Sequence, residues 1–402
     1  MMGDVVRRTQ IIDLARSVPL GVLLPIETSV VLTIAIKQFA APGLVKGLVA
    51  SAAGFGMLLS PFLTAFARRL GRPVMQVSAA MSVLAAVGYA TASSGQLVLL
   101  VFGTLVAGAG FNSVIPLLTV TYQRNFPVSE RGKRVGLGLS VKVIASVVTA
   151  LTLGALLKER LDLWWVALVV GSVASLVVAS CNWLMPSSPL DRVEGRSNRP
   201  WPHFELLSQD RRLRLTLTSW MLMGFGNLML LPLRVEYLAQ PKYGVNADAA
   251  KILLLTVTVP SAIRLLVLPG FGILFDRMSF FSSRIVVNLL FALYVGAFFT
   301  GRSDIGLFLG ALTLGVANAG GDLMWSLWVT KFAPADRVVD YMGLHTFFTG
   351  IRAAFAPLLA FLVVARVPLL SIAWTAAALM VVASLMLLPE ARAERTRNVA
   401  VL

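Results

Sequence analysis

The chain has 402 residues, of which 57% are hydrophobic and 13% are charged, and its mean hydropathy is +0.81. Soluble globular proteins contain about 45–50% apolar and about 25% charged residues, so this composition excludes an ordinary soluble enzyme. The net charge of +16 comes from 35 Lys and Arg against 19 Asp and Glu. Such a balance fits nucleic-acid binding, but it also fits basic loops on the cytoplasmic side of a membrane.

Cysteine and histidine are scarce. One cysteine, Cys181, and two histidines, His203 and His345, are too few for an intramolecular disulfide or a metal cluster. We expect no metal and no cofactor, and the absence of a nucleophile–base constellation argues against an enzyme. We also expect no cleaved signal peptide, because the apolar run that follows the polar start has no small-residue cleavage site. His345 is interpreted as a packed or interfacial residue.

Long apolar runs dominate the rest of the sequence. A helix that crosses the hydrocarbon layer of about 30 Å needs about 20 mostly apolar residues. The runs lack two-residue alternation, which argues against a transmembrane β-barrel. The predicted fold class is therefore an all-α membrane protein with twelve transmembrane helices. Their predicted spans are 14–36, 47–67, 73–93, 97–121, 135–157, 163–185, 215–238, 250–275, 283–301, 305–329, 339–364 and 368–389.

The longest loop, 186–214, is polar, Pro-rich and basic. It indicates a linker between an N-terminal half, 1–185, and a C-terminal half, 215–402. With twelve spans, both termini lie on one side of the membrane. When basic residues within four positions of a span end are counted with the adjacent loop, that side receives 23 of the 35 Lys and Arg residues, the other side receives nine, and three lie inside spans. The positive-inside rule then places the termini and the linker in the cytoplasm, which explains the basicity without nucleic acid. We expect a bacterial inner membrane.

The two halves are similar to each other at a nearly constant offset. Leu23–Glu27 reads LLPIE, and Leu230–Arg234, which lies 207 residues later, reads LLPLR. Three further pairs keep nearly the same spacing, of 208, 206 and 206 residues: Arg69 and Arg277, Asn112 and Asn318, and Arg131 and Arg337. This order of matches predicts a duplication of six helices into pseudo-symmetric halves. Transporters commonly contain such repeats and bind their solutes near the membrane midplane between them.

The loop after the second helix of the second half carries a recognisable motif. It has Gly272, Leu274, Asp276 and Arg277 in order and departs from the pattern at Ser279. This segment resembles the G-x-L-x-D-R-x-G-R loop of the major facilitator superfamily. The resemblance covers essentially the whole chain, because the helix count and the internal duplication also match that family.

The equivalent loop of the first half is a degraded copy of the same motif. It keeps Arg69, Gly71 and Arg72, but it has Thr64 at the first glycine position and Arg68 where the family has Asp. In the family this loop supports a cytoplasmic gate through charge pairs and helix-end contacts. The first half therefore lacks the acid that this pairing uses. A structural turn with arginines that face lipid phosphates is an equally good interpretation of these loops.

Two further segments bear on the subfamily. The fourth loop, FPVSERGKRVG, resembles the family's Pro-x-x-x-Arg-Gly connection, and it contributes Arg131 to the candidate gating residues together with Arg337. The antiporter pattern G-x-x-x-G-P-x-x-G-G is absent from residues 136–154 in the fifth span. The resemblance therefore implies a transporter of this superfamily without assigning a subfamily, and it weighs against a drug–proton antiporter.

Apart from His345, five ionisable residues lie more than four positions inside a predicted span: Glu27, Lys142, Arg264, Asp322 and Arg352. Each costs about 2.5–3.5 kcal/mol at the centre of a membrane helix, so we expect them to face a cavity or one another. The resemblance implies that helices 3, 6, 9 and 12 lie outside and that the other eight line the cavity. None of the five falls on an outer helix.

The two acids are candidates for proton coupling. Glu27 follows a proline, and desolvation in a low-dielectric cavity favours the protonated form of a carboxyl. The alternative is an ion pair with a facing base, including its repeat-mate Arg234. Asp322 is the second candidate, and its alternative is a pair with Lys142 or Arg352.

The bases and amides are candidates for solute binding. Arg264 and Arg352 offer planar forks suited to carboxylate or phosphate, and the resemblance implies that anion carriers often place basic residues on these helices. The alternative is a buried salt-bridge network with the two acids. Lys142 either joins the site or snorkels to the surface, and the amides Asn112 and Asn318 either bind solute or join helices.

The sequence therefore predicts a monomeric secondary active transporter, embedded in a lipid bilayer, that works by alternating access. Its expected partners are a small organic solute, anionic or zwitterionic, and a coupling ion, with the proton as our first choice. A multidrug or cationic-amphiphile proton antiporter is the first alternative. A non-transporting membrane receptor or assembly factor on the same fold is the second.

Overall fold

Apolar runs become helices in a membrane because hydrocarbon offers no partner for backbone N–H and C=O groups. The structure is a computed structural model, and the part of the chain that it describes is helical without strands. Eleven of these helices are long and apolar enough to span a membrane, and a pair bent by 47° makes a twelfth. The described residues are 2–190, 204–301, 303–328 and 338–399.

The twelve spanning helices are labelled α1 to α12. The first half contains α1 (Met2–Pro25, continued by Ile26–Val30 and Val31–Lys37), α2 (Gly43–Ala50 and Ala52–Leu70), α3 (Val74–Ala92), α4 (Leu97–Asn112 and Ile115–Asn125), α5 (Val128–Glu159) and α6 (Trp164–Leu184). The second half contains α7 (Arg211–Ala239), α8 (Ala249–Leu253, Leu254–Thr258 and Val259–Arg277), α9 (Phe280–Thr300), α10 (Asp304–Leu327), α11 (Val338–Val363) and α12 (Leu369–Leu385, followed by Leu388–Val399).

Every predicted span falls on one of these helices, so the prediction of twelve apolar spans is confirmed. The chain begins and ends on one side, called here the terminal side, and the opposite side is called the distal side. Several helices extend beyond the predicted spans on the terminal side, because hydropathy marks only the turns that lie in hydrocarbon. The first helix begins at Met2, and α5 begins at Val128.

The second half begins with a capped helix. The carboxylate of Asp210 accepts hydrogen bonds from the backbone N–H groups of Arg212 and Leu213, at 2.8 and 3.0 Å. This cap satisfies donors that the first turn of a helix leaves without partners. The helix α7 therefore starts at Arg211, inside the C-terminal end of the predicted linker, 186–214.

Three helices are irregular near mid-membrane. The π-helical turn Ile26–Val30 of α1 directly follows Pro25, and the π-helical turn Leu254–Thr258 of α8 comes just before Pro260. The break in α4 after Asn112 also precedes a proline. Proline removes a backbone donor and clashes with the preceding turn, and π-helical turns are frequent at functional sites.

The two halves approach most closely along α2 and α11. Gly47 lies against the backbone of Leu358, and Gly54 lies against the backbone of Ala354. On α11, Gly350 lies against the backbone of Leu58. Because glycine has no side chain, two helices can pack backbone to backbone at these points, as membrane helices commonly do. The fifth helix packs in addition against the first part of α8.

Candidate functional site

An ion pair lies in the middle of the second half. The guanidinium of Arg264 on α8 donates to the carboxylate of Asp322 on α10, at 3.0 Å. The side chain of Asp322 is 55% exposed, and that of Arg264 is 22% exposed. Lys142 of the first half interacts electrostatically with both residues, so the pair faces the region between the halves.

A second polar pair lies in the first half. The amide of Asn112, at the break in α4, donates to the carboxylate of Glu27 at 2.7 Å. Both side chains are half-buried. The π-helical turn after Pro25 carries Glu27, so the proline-linked irregularities of α1 and α4 meet at this hydrogen bond.

Lys142 on α5 connects the two pairs. It interacts electrostatically with Glu27 in its own half, and with Arg264 and Asp322 in the other half. The four charged residues Glu27, Lys142, Arg264 and Asp322 therefore form one group between the halves, called here the central cluster. It contains two acids and two bases, and four different helices supply them.

Arg352 lies apart from the central cluster. It is 7% exposed, and it donates to the backbone carbonyl of Trp220 and, at 3.1 Å, to the hydroxyl of Thr349. Gly224 leaves room for its guanidinium, because a side chain at that position would collide with it. Arg352 therefore contacts α7 and its own helix, whereas Arg264 contacts Asp322 on α10.

The remaining predicted site residues also have defined places. Asn318 is half-buried on α10, one helical turn before Asp322, so the two residues share a helix face. Arg234 does not meet its repeat-mate Glu27. Its guanidinium lies 5.8 Å from the ring centroid of Tyr294 in the second half.

A buried ion pair joins the halves on the distal side. The ammonium group of Lys46 on α2 donates to both carboxylate oxygens of Glu236 on α7, at 2.8 Å each. These residues are 8% and 0% exposed. Lys242 approaches the same carboxylate to 3.6 Å. We call Lys46 and Glu236 the distal pair.

Two further contacts close the same side. The hydroxyl of Ser29 on α1 and that of Thr256 on α8 lie 3.0 Å apart and are buried. Lys158, at the distal end of α5, lies 3.9 Å from the carboxylate of Asp248, which caps α8. The described hydrogen bonds and ion pairs that cross between the halves thus lie at or beyond the midplane, toward the distal side.

Comparison with known proteins identifies the family. A family model described as the Major Facilitator Superfamily matches residues 20–357, which is most of the chain. The chain belongs to the Major Facilitator Superfamily. A comparison with curated proteins finds no match. Membership in this superfamily points to a transporter rather than an enzyme.

Solved structures agree on the fold. The nucleoside transporter NupG matches with a TM-score of 0.71 and 12% identity, over 96% of this chain and 98% of that one. A D-xylose–proton symporter matches with a TM-score of 0.72 and 16% identity, over 95% and 97%. A POT family transporter in complex with a thioalcohol-conjugated peptide matches with a TM-score of 0.69 and 12% identity, over 97% and 96%. At these identities the similarity shows the fold alone.

The superfamily loop of the first half forms a glycine-terminated helix end. Gly71, with φ of 64°, adopts the left-handed conformation that ends α2, which suits glycine because a side chain is strained there. Arg68 is half-buried, whereas Arg69 and Arg72 are exposed. The left-handed conformation therefore explains why the motif has glycine at position 71 in this superfamily member. The gating role of the arginines stays a prediction.

The other predicted gating residues have mixed outcomes. The guanidinium of Arg131 donates to the carbonyls of Gln123 and Phe126, at 2.9 and 3.3 Å, and so caps the end of α4. Gly272, Asp276 and Arg277 lie in the last turns of α8, and their side chains lie outside the described residues, as does the whole of Arg337.

Sequence reasoning missed several buried ionisable residues. It assigned Lys46 and Arg284 to loops, yet both are buried in this superfamily fold, at 8% and 4% exposure. It also passed over Asp13, Arg16 and Glu236, which are 1%, 6% and 0% exposed. Lys46, Glu236 and Arg284 lie near helix ends, and Asp13 and Arg16 lie in the part of α1 that precedes or begins the predicted span. Hydropathy alone does not separate a buried charge from a solvated one at such positions. The internal repeat was the available signal. At its offset of 207 residues, the acid Asp13 corresponds to Trp220, and this difference marks the position in both halves.

Proposed function

We propose that this protein is a secondary active transporter that moves a small organic anion or zwitterion by alternating access, coupled to protons. The central cluster is the observation that carries the proposal. Charges inside a membrane protein are costly and mark solute or ion pathways. These four come from both halves, so a solute bound there would contact both bodies that must move relative to each other.

The charge balance of the cluster supports this class of solute. Two acids and two bases offer a site to each end of a zwitterion, with the guanidinium of Arg264 suited to a carboxylate. Protonation of Glu27 would leave the cluster with a net positive charge. Such a site attracts an anion more strongly when protonated, and this preference links the movement of the anion to that of a proton.

The distribution of contacts supports alternating access. The distal pair, the Ser29–Thr256 contact and the α2–α11 packing close the distal side. Asp322 is nevertheless 55% exposed. A cluster that is accessible while the distal side is closed is reached from the terminal side. In the alternate state, these distal contacts would have to separate.

The relatives and the charge distribution are consistent with the remaining parts of the proposal. One structural neighbour is described as a proton symporter, which makes proton coupling compatible with this fold. The basic excess on the terminal side supports cytoplasmic termini in a plasma membrane. We propose a monomer, because each half completes the site with residues of the same chain.

Solute identification begins with a thermal-shift screen of the purified protein against anionic, zwitterionic, neutral and cationic metabolites. A ligand that binds the folded state raises the midpoint of unfolding. Labelled hits are then tested for uptake into proteoliposomes under an imposed pH gradient. Hits confined to cationic amphiphiles would favour the multidrug alternative, and a bound hit without flux would favour a receptor.

The role of the cluster is tested with one matched pair of variants. Arg264→Gln should reduce uptake of an anionic hit at least about tenfold, because the loss of one charged contact is worth about 1.4 kcal/mol or more. Arg366→Gln removes an equal charge from an exposed position outside the cluster and should leave uptake unchanged. Normal uptake by Arg264→Gln would contradict the proposed anion contact.

A further inference from the structure

A group of buried basic residues surrounds Trp220 in the terminal part of the second half. Arg284 on α9, His345 on α11 and Arg352 on α11 are 4%, 1% and 7% exposed. They lie within electrostatic range of one another. We call these three residues the basic trio, and none of them belongs to the central cluster.

The indole of Trp220 holds the basic trio together. The guanidinium of Arg284 lies 4.8 Å from the indole ring centroid, and the ring of His345 lies 4.2 Å from it. Arg284 also donates to the sulfur of Met223 at 3.4 Å. Arg352 donates to the carbonyl of Trp220. These partners are neutral, so none of them compensates the charge of either arginine.

The basic trio has no carboxylate partner among the described residues. Of the acids whose side chains the structure describes, Asp210 accepts from the hydroxyl of Tyr341 and Glu390 pairs with Arg211, so neither is a partner of the trio. The donors that remain without a partner are Nε of Arg284 and Nε of Arg352, together with one ring nitrogen, Nε2, of His345. Buried charges are normally paired, because desolvation without compensation is expensive.

The internal repeat shows what the second half lacks. At an offset of 207 residues, Asp13 corresponds to Trp220 and Arg16 corresponds to Met223. In the first half, the carboxylate of Asp13 accepts a hydrogen bond from Arg16 at 2.8 Å and another from the hydroxyl of Tyr122. The same level of the first half thus contains a cation with its own carboxylate.

The contacts around these positions correspond as well. Asp13 lies beside Gly138, and Trp220 lies beside His345, which is 207 residues after Gly138. The aromatic partner of Asp13 is Tyr122. The ring of Trp328, 206 residues after Tyr122, packs 5.0 Å from that of Trp220. The two places are therefore structurally equivalent, and an indole occupies the acid's position in the second half.

We propose that the basic trio binds a small monovalent inorganic anion, which supplies the negative charge that Asp13 supplies in the first half. Chloride represents this class. All three side chains are buried, which favours a small anion over a large organic one. The two guanidinium groups donate through Nε, and a neutral imidazole donates through one nitrogen. This site is separate from the solute site, so the inference does not depend on the solute or on transport.

The first test measures thermal unfolding of the purified full-length protein while chloride replaces gluconate at constant ionic strength. A saturable rise of the midpoint by roughly 2–5 °C is expected, because binding to the folded state stabilises it. A midpoint that does not depend on chloride overturns the proposal. If Arg264→Gln removes the response, chloride acts in the central cluster and the assignment is also overturned.

The second test supplies the missing carboxylate within the chain. Met223→Glu places an acid at the position whose sulfur contacts Arg284, and Met223→Gln is its neutral isostere. The Glu variant should lose the chloride response and should match the wild-type midpoint in chloride even when gluconate is the only anion. The Gln variant should keep the response. Equal chloride responses from the two variants contradict the proposal.

Bromide provides a direct readout that does not depend on variant stability. Crystals grown in bromide should give an anomalous peak between the guanidinium groups of Arg284 and Arg352. Bromide peaks confined to other positions would overturn the assignment.

Discussion

The ion pair between Arg264 and Asp322 could either stabilise the fold or bind the solute, and the exposure of its side chains bears on this choice. A solvent-accessible ion pair contributes only about 0–1 kcal/mol to stability. The side chain of Asp322, toward the terminal end of α10, is 55% exposed. A small contribution to stability is what the proposed function requires, because there the pair opens to admit a solute.

An exchange of the two charges distinguishes these roles. The double variant Arg264→Asp with Asp322→Arg restores an ion pair, so its free energy of unfolding should stay within about 1 kcal/mol of the wild-type value. Uptake should nevertheless fall at least about tenfold, because the cation no longer lies where the solute needs it. Recovery of uptake in the exchanged protein would show that the pair acts only structurally.

Glu27 provides the second prediction at this scale. Its carboxylate accepts from Asn112, and a glutamine can keep this contact through its carbonyl oxygen while it cannot carry a proton. Glu27→Gln should abolish uptake driven by a pH gradient. Exchange of labelled for unlabelled solute, which needs no net proton movement, should continue. The two assays use the same proteoliposomes, and pH-driven uptake at the wild-type level would exclude Glu27 as the proton carrier.

Residue pairing was the part of the site that the sequence predicted least well. Glu27, Lys142, Arg264 and Asp322 were recognisable because a charge inside an apolar run is conspicuous, and the structure brings these four together. The structure separates Arg352 from them, because its side chain extends toward Trp220 on α7. Hydropathy gives the depth of a residue in the membrane but not the neighbour toward which its side chain points.

At the level of helices, the distal pair shows how charge and packing cooperate. Lys46 lies at the start of α2, and its ammonium group is 5.2 Å from the ring centroid of Phe361 on α11. Glu236, near the end of α7, is fully buried. Removing one member of a buried pair leaves an uncompensated charge, whereas replacing both members with apolar residues is often neutral or stabilising.

This asymmetry gives a stability prediction. Lys46→Met should lower the free energy of unfolding by about 3 kcal/mol, the lower end of the usual range, because Lys242 remains 3.6 Å from Glu236. Adding Glu236→Met should restore most of the loss, as measured by denaturant or thermal unfolding in detergent. A double variant as unstable as the single one would show that the ion pair itself, and not the stranded carboxylate, determines stability.

The twelve spans were predictable because a membrane demands long apolar helices. The irregular turns were harder to predict from the sequence, although prolines indicate where backbone hydrogen bonds are lost. Pro25 and Pro260 do lie next to the π-helical turns of α1 and α8. The sequence does not reveal that these turns face each other across the halves, where Ser29 meets Thr256.

The whole molecule is a duplicated unit whose copies have diverged in charge. The offset near 207 residues was visible in the sequence, and it relates places that have equivalent contacts in the two halves. The first copy contains the Asp13–Arg16 pair, whereas at the same level the second has an indole, and Arg284 and Arg352 have no carboxylate partner among the described residues. Under the alternating-access proposal, divergence of this kind would let two similar six-helix bodies make different contacts when they move against each other.

The alternating-access proposal makes a prediction for the entire chain. In a background that lacks the single native cysteine, Cys181→Ala, the pair Ser29→Cys and Thr256→Cys should form a disulfide, because the native hydroxyl oxygens are 3.0 Å apart. Oxidation would fix the halves together on the distal side. Transport should then stop and should recover when the disulfide is reduced.

Accessibility identifies the state that the disulfide holds. A cysteine at Asn318, one turn from Asp322 on α10, should react with a membrane-impermeant thiol reagent applied from the terminal side of the locked protein. Reagent applied from the distal side should fail to label it until reduction allows the halves to move. Labelling from the distal side of the locked protein, or transport that continues after complete oxidation, would contradict a mechanism in which the two halves rock about the central cluster.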